Sequence, residues 1–158
     1  MSLIKNFNQG IEKGVFKTMI ASGPVIIQER NEVLKTLLVK HGDKSLDELK
    51  WKFCGGKLLQ GSSLEENTIR EAHEEIGLDI KIVGYLPTLG LWQEVPESGE
   101  EKPELIVLVH YLAEIYGEPV RGLEIKAMDW FDINNLSADI APNVKPIIDA
   151  YKKMYLKK

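Results

Sequence analysis

The order of apolar and polar residues along the chain predicts strands in both halves, separated by charged or glycine-containing turns. Residues 25–28 and 33–39 are apolar runs rich in β-branched side chains, joined by the charged turn 29–32, and we predict that they form two strands. Gly23-Pro24 precedes the first run, and we predict that it breaks the apolar stretch there. Further strands are predicted at residues 78–85, 105–115 and 125–131.

Two amphipathic helices are predicted between and after these strands. Ser63 and Glu66 form a capping box for the first, in which the serine hydroxyl accepts a backbone N–H and the glutamate reaches back to the cap. Gly77 is predicted to end this helix. The second helix, over residues 143–156, closes the chain and has Asn143 as its predicted cap. The predicted buried stripe of the first helix consists of Leu64, Thr68, Ala72 and Ile76, with Ile69 beside them.

Strands that alternate with two helices predict an α/β fold in which a mixed β-sheet lies between helices. The 158 residues of the chain are enough to bury a sizeable core, and we predict a single domain over residues 1–158. Two exposed loops are predicted, a polar one at residues 41–50 and an acidic one, bounded by prolines, at residues 96–103.

Composition and charge narrow the class of protein. The content of 44% hydrophobic and 28% charged residues is ordinary for a soluble globular protein. A formal net charge of −4 gives no electrostatic reason to expect binding to nucleic acid or to an anionic membrane. No apolar run approaches the roughly 20 residues of a membrane-spanning helix. A single cysteine, Cys54, cannot form an intramolecular disulfide, which agrees with a cytoplasmic location.

The densest group of charged residues lies on the first predicted helix, where Arg70 is followed by Glu71, Glu74 and Glu75. The three glutamates are three and four residues apart, so they share one face of the helix. Three close carboxylates repel one another unless a positive charge lies among them, and a hard divalent cation such as Mg²⁺ meets that need. Arg70 offsets part of the charge and can pair with Glu66 or Glu74, each four residues away.

Each of these features also has an ordinary structural interpretation. Glutamate-rich faces are common on solvated helices, and the double glycine Gly55-Gly56 before the helix would by itself be a loop signal. The two together are more informative, because glycine lets a loop approach a ligand closely. Such a loop can supply carbonyl ligands for a metal or N–H groups for phosphate oxygens.

The segment 56–78 resembles the Nudix box, which has the form Gly-x5-Glu-x7-Arg-Glu-U-x-Glu-Glu-x-Gly-U, where U is aliphatic. Trp51-Lys52-Phe53 before the glycines and Asp129-Trp130-Phe131 resemble two strands of the same family. About residues 17–151 can be laid on the family's α/β/α sandwich. The box positions in register are Gly56, Arg70, Glu71, Glu74, Glu75 and Gly77, with Ala72 and Leu78 at the two U positions.

This resemblance implies hydrolysis of a nucleoside diphosphate linked to another group, with Mg²⁺ or Mn²⁺. Glu71 and Glu75 would be direct metal ligands, Glu74 a further or water-bridged ligand, and the Gly55 carbonyl the contribution of the loop. In such reactions metal ions neutralise charge on the phosphate oxygens while water attacks phosphorus. A homodimer would be unsurprising in this family.

A carboxylate must take the proton of the attacking water, and the sequence leaves its identity open. Glu71 and Glu74 are candidates on the helix, with Arg70 completing the predicted catalytic set. Members of the family place this base differently, sometimes on a later loop. Glu124 is our leading candidate for such a late carboxylate, although it equally fits an exposed acid beside a strand.

The first glutamate of the box is missing, because Ser62 holds its position. In one interpretation the remaining carboxylates suffice and Ser62 helps to cap the helix. In the other the site is impaired, and the protein binds a nucleotide metabolite without cutting it efficiently. We favour the first, because Arg70 and all three helix glutamates are in register.

Cys54 also departs from the box, since proline is common before the glycine pair. We interpret it as a small buried hydrophobic residue. A third possible function, isomerisation of a small diphosphate, would require Cys54 as a reactive group. His73 is predicted to point away from the metal face. Trp92 and Tyr85 could stack on a base, but packing is the favoured role of each.

Overall fold

The computed structural model describes residues 16–93 and 103–156, in which seven strands form one mixed sheet with two helices. Apart from Pro103, the predicted acidic loop lies outside the described residues. No helix in the described ranges is long and apolar enough to cross a membrane. The elements are β1 (Lys17–Arg30), β2 (Val33–His41), β3 (Gly56–Lys57), α1 (Leu64–Ile76), β4 (Ile80–Tyr85), β5 (Leu89–Gln93), β6 (Glu104–Ile115), β7 (Ile125–Asp132) and α2 (Val144–Tyr151), which runs into a π-helical turn (Lys152–Leu156).

The sheet has the strand order β4-β6-β1-β2-β7, with β3 paired to β1 and β5 paired to β6. The central strands β1 and β6 are parallel, in a register that runs from Lys17 opposite Glu104 to Ile26 opposite Ala113. All the other strand pairs are antiparallel. A parallel pair requires a long crossover connection, and the one between β1 and β6 carries α1.

The hydrophobic core has two halves, one on each face of the sheet. Neighbouring residues of a strand point to opposite faces, so Val25 packs in one half and Ile26 in the other. Likewise, Leu38 joins the first half and Leu37 the second. The predicted α/β/α sandwich with a mixed sheet is thereby confirmed. The helices contribute Val144, Ile147 and Ile148 from α2 to the first half, and Ala72 and Ile76 from α1 to the second.

The predicted strand break at Gly23-Pro24 is wrong, because β1 continues through both residues and stays in register with β6. Gly23 has a different purpose. A Cβ atom there would overlap the carbonyl oxygen of Cys54 and would lie 2.8 Å from the Cα of Gly55. A glycine within a strand can mark a place where another backbone approaches closely, and Gly23 is such a place.

The structure of α1 confirms both predicted caps, but the buried face of the helix differs from the predicted one. Ser63 and Glu66 make both bonds of the capping box, and Gly77 ends the helix in the left-handed conformation with φ 70°. Ile69, however, is 40% exposed, whereas Asn67 is fully buried. The buried sector of α1 is therefore rotated away from Ile69, toward the side that carries Glu75.

The predicted side-chain cap of the second helix is wrong. Asn143 does not cap α2 with its side chain, because its Nδ2 lies 3.0 Å from Nε2 of the buried His110.

The sequence analysis also missed β5, which pairs along β6 and carries Trp92. Trp92 and Tyr85 are 57% and 63% exposed, and each has an aromatic neighbour, Phe16 and Tyr111 respectively.

Candidate active site

The loop before α1 contains Gly55 and Gly56, and these two residues hold it against β1. We call it the glycine loop. Gly56 and Lys57 form the short strand β3, paired with Ser22 and Ala21. Gly55 has φ 147°, a conformation that other residues rarely adopt, and a Cβ atom there would lie 2.8 Å from the Ser22 carbonyl oxygen. Only glycine fits both conditions, so the sequence fixes where this loop meets the sheet.

Two glutamates of α1 reach these consecutive glycines. The Gly55 N–H donates a hydrogen bond of 2.9 Å to Oε1 of Glu75. The Glu71 carboxyl lies so close to Gly56 that a Cβ atom there would be 2.6 Å from its carboxyl carbon. Glu75 is only 7% exposed and the Glu71 side chain only 12%. The structure thus brings two predicted metal ligands, both largely buried, together at one loop.

Arg70 lies between the predicted acidic residues. Its Nη2 donates to Glu71 Oε1 at 2.9 Å, and its Nη1 is 3.1 Å from both carboxylate oxygens of Glu74. Of the two predicted pairings, Arg70 makes the one with Glu74, because Glu66 is engaged in the capping box with Ser63. Glu74 itself is 55% exposed, so it lies on the solvent side of this group.

Burial changes the acidity of Glu75. Removal from water raises the pKa of Glu75 to about 7, and the negative charge of Glu71 acts in the same direction. The hydrogen bond from Gly55 opposes the shift but does not cancel it. A cation held by both carboxylates would relieve this penalty, because it would offset the charge that burial disfavours.

The described residues also permit a direct test of fit to a metal ion. Among residues 16–93 and 103–156, no three His, Cys, Asp or Glu side chains already stand as a complete metal cluster. Glu71 and Glu75 nevertheless present oxygen atoms at the same glycine loop. An all-oxygen donor set with buried negative charge fits a hard cation such as Mg²⁺ or Mn²⁺.

The raised pKa of Glu75 predicts how the stability of the metal-free protein depends on pH. A pKa raised from 4.5 to about 7 means that the folded protein binds this proton more tightly than the unfolded chain. The resulting stability is fully present below the unfolded value and is lost as the pH rises through the folded one. Between about pH 5.5 and about pH 8 we expect a loss of about 2 kcal/mol, from about 1.5 pKa units at about 1.36 kcal/mol each.

Urea unfolding in a chelator at these two pH values measures this loss. Glu75→Gln keeps an acceptor for the Gly55 N–H but has no proton to lose, so it should lack this part of the dependence. Equal pH dependence in the two proteins would contradict the assignment to Glu75.

Glu124, the predicted late-loop base, follows β6 and lies exposed to solvent. Its side chain is 88% exposed, and its Oε2 lies 3.6 Å from Nε2 of His41. Two residues earlier, the Gly122 N–H donates to the backbone carbonyl of Glu75 at 2.9 Å. The loop that carries Glu124 is therefore fastened to the C-terminal end of α1, and its role as base stays a prediction.

Two other sequence expectations concern the edges of the site. His73 points away from the glycine loop, as predicted, because its side chain is 68% exposed and lies 3.3 Å from Asp79. Ser62 belongs to the turn before α1, where its N–H bonds to the Leu59 carbonyl at 3.1 Å. Ser63, rather than Ser62, supplies the side-chain cap.

Sequence analysis missed Asn67, which is fully buried beside the glycine loop. A usable signal was present, since Asn67, Glu71 and Glu75 follow one another at intervals of four and so share a helix face. An asparagine within a helix favours a position where its amide has partners, and here those partners come from β1, the loop and Arg70.

The chain matches the model of a known family. The family profile described as the NUDIX domain matches residues 17–151, and the chain belongs to the Nudix family. This confirms the resemblance found in the box and places the chain in the Nudix hydrolase class. Among curated protein sequences, none gives a significant match to the chain.

Several solved structures share the fold. A MutT NUDIX hydrolase from Burkholderia pseudomallei superposes with a TM-score of 0.70 at 21% identity, over 85% of this chain and 98% of that one. A C. elegans Ap4A hydrolase has a TM-score of 0.68 at 15% identity, over 87% and 98%. The NUDIX domain of Shewanella oneidensis NrtR, complexed with ADP ribose, has 0.66 at 18%, over 97% and 98%. At these identities the likeness establishes the fold.

Proposed function

We propose that the protein is a Mg²⁺-dependent pyrophosphohydrolase that cleaves a phosphoanhydride bond in a nucleoside diphosphate linked to another moiety. The observation that carries this proposal is the pair of buried carboxylates, Glu71 and Glu75, at the Gly55-Gly56 loop. Similar folds include an Ap4A hydrolase and a NUDIX domain bound to ADP ribose, and we extend this broad ligand class to the present chain.

Each residue of the site has a distinct task in this proposal. Glu71 and Glu75 would hold the cation together with the Gly55 carbonyl oxygen, and Glu74 would be a further or water-bridged ligand. Arg70 orients Glu71 and Glu74 through the hydrogen bonds that it donates to both. When bound, the cation neutralises charge on the phosphate oxygens and assists the attack of water on phosphorus.

In the proposed reaction the proton of the attacking water goes to a carboxylate. The three candidate carboxylates differ in their exposure to solvent. Glu71 and Glu74 both accept hydrogen bonds from Arg70, but Glu71 is largely buried whereas Glu74 is half-exposed. Glu124 is almost fully exposed and would have to turn from His41 to serve. A base must lie within hydrogen-bond reach of the water, directly or through one further water. We keep Glu71, Glu74 and Glu124 as the candidates.

A second candidate function is binding of a nucleotide metabolite with little or no turnover. The observation that favours it is Ser62, which supplies no negative charge where the box has its first glutamate. Such a protein would be stabilised by its ligand, by mass action on the folded state, without releasing products.

The isomerase alternative is opposed by the environment of Cys54. The side chain is buried in the α1 half of the core, and burial raises the pKa of the Cys54 thiol well above its usual value. The negative charge of Glu75 adds to this effect. A thiol kept in its protonated form is a poor nucleophile. Cys54 therefore has a packing role, as the sequence indicated.

The proposed function predicts that purified protein releases product from a nucleoside diphosphate derivative only when Mg²⁺ is present. The panel comprises three classes of substrate: sugar- or ribose-linked nucleoside diphosphates, nucleoside triphosphates and dinucleoside polyphosphates. We expect the first class to be hydrolysed best. Phosphate and nucleotide release are measured with Mg²⁺ and with a chelator, and Cys54→Ala is run beside wild type. Thermal stabilisation by a nucleotide without turnover across the panel would instead support the binding function.

A further inference from the structure

The amide of Asn67 uses all of its hydrogen-bonding capacity at the glycine loop. Its Nδ2 donates to Ser22 Oγ at 2.9 Å and to the Gly56 carbonyl at 3.1 Å. Its Oδ1 accepts from Arg70 Nη2 at 2.7 Å and, more weakly, from the Leu59 N–H at 3.4 Å. An asparagine side chain offers two donors and two acceptor sites, so this amide is fully satisfied although no part of the residue is exposed.

These bonds join three segments that are distant in sequence. Ser22 lies on β1 and is 2% exposed, and its hydroxyl donates a hydrogen bond of 3.1 Å to the Leu64 carbonyl at the start of α1. Gly56 belongs to the loop, and Arg70 to the next turn of the helix. Asn67 is therefore the point where the strand, the loop and the helix are held in one arrangement.

Two of the partners of Asn67 touch Glu71. The same Nη2 atom of Arg70 that donates to Asn67 also donates to Glu71 Oε1 at 2.9 Å. Gly56, whose carbonyl accepts from Asn67, lies directly against the Glu71 carboxyl. The Nε of Arg70 is buried without a hydrogen-bond partner, so its guanidinium is held through the two Nη atoms alone. Asn67 and Glu71 share one of them, Nη2.

We propose that Asn67 is a positioning residue for the reaction: it orients Arg70 and the Gly56 peptide, and through them the Glu71 carboxylate. This inference rests on the proposed function, because it assigns Glu71 to the metal site. Groups that orient metal ligands change metal affinity or activity by about 10-fold to 100-fold when they are replaced. Asn67 lies outside the fixed positions of the Nudix box, so the box motif assigns it no role.

A buried asparagine could also act on stability alone, and the adjacent residue provides the matched control. Thr68 is fully buried as well, but its hydroxyl bonds only within the helix, to the Leu64 carbonyl at 2.8 Å. Asn67→Leu and Thr68→Val both keep approximate size and both remove a buried polar group. Asn67→Leu should lower the free energy of unfolding, because it removes the buried donor to the Gly56 carbonyl. Thr68→Val should lower it less, because the Leu64 carbonyl still accepts from the Ser22 hydroxyl.

Titration calorimetry with Mn²⁺ measures the metal affinity of these variants. Their kcat and KM are measured on the substrate found in the panel. Both experiments use a temperature at which circular dichroism shows each protein folded. We expect Asn67→Leu to lower kcat or Mn²⁺ affinity by about 10-fold to 100-fold, with a smaller change in KM, and Thr68→Val to change neither. Asn67→Asp keeps the acceptor for Arg70 and loses both donors, so it should fall between wild type and Asn67→Leu.

Wild-type kcat and Mn²⁺ affinity in Asn67→Leu, within about threefold, would overturn the role, as would an equal loss in Thr68→Val. If Asn67→Leu does not fold, Asn67→Asp decides, with a loss of about tenfold in support and wild-type behaviour against. A wild-type protein that neither binds Mn²⁺ nor cuts any member of the panel would remove the proposed function together with this inference. An active wild type with unaffected Asn67 variants would remove the inference alone.

Discussion

Glu75→Gln is expected to lower turnover on the order of a thousandfold while the fold persists. The amide has nearly the same size and still offers an acceptor to the Gly55 N–H, which now lies 2.9 Å from Glu75 Oε1. It lacks the negative charge that would hold the cation. Because Glu75 is only 7% exposed, water cannot readily replace that charge.

The measurement is kcat/KM against Mg²⁺ concentration for Glu75→Gln and wild type, with the fold checked by circular dichroism. Glu65→Gln is the matched control, since Glu65 lies exposed in the first turn of the same helix and should leave kcat/KM unchanged. Glu74→Gln should have an intermediate effect, because Glu74 is half-exposed and paired with Arg70. Turnover of Glu75→Gln within a few-fold of wild type would show that α1 does not hold the metal.

Gly23→Ala is expected to destabilise the protein by roughly 3 kcal/mol or more, and to impair the site as well. The added methyl group would overlap the carbonyl oxygen of Cys54, which is backbone and cannot rotate aside as a side chain can. Relief requires the loop to move away from β1. Gly55 would move with it, and with Gly55 the N–H that binds Glu75.

Gly90→Ala is the matched control, because Gly90 is also a strand glycine. The nearest atom to a Cβ there is the Leu105 Cδ1 at 3.3 Å, the end of a flexible side chain. Its effect should stay within about 1 kcal/mol, since alanine also reduces the entropy of the unfolded chain. Urea unfolding of both variants at one pH compares them. A Gly23→Ala protein as stable as wild type would mean that the loop does not depend on its close approach to β1.

The local features of α1 were available from the sequence, for a physical reason. The capping box of Ser63 and Glu66, the stop at Gly77 and the shared face of Glu71 and Glu75 are set by residues within a few turns of one another. Helical geometry relates such residues directly, whatever the rest of the chain does. For the same reason, the spacing of the Nudix box was visible without any structure.

The sheet on which the helix rests was only partly predictable. The alternation of apolar residues indicated that β1 and β2 exist, and the two helices indicated a sandwich. Gly23 and Pro24 lie inside β1, where they pair with the distant strand β6 and where the backbone of Cys54 approaches Gly23. No local pattern contains that contact.

Tertiary structure alone decided the surroundings of each acidic residue. The family resemblance had already set Glu74 apart from Glu71 and Glu75, but only packing against the loop buries Glu75 and raises its pKa, while Glu74 remains in solvent beside Arg70. The role of Asn67 arises in the same way, from partners on β1 and in the glycine loop. Burial and long-range hydrogen bonds depend on which distant segments meet, so they exist only once the sheet and the helix have come together.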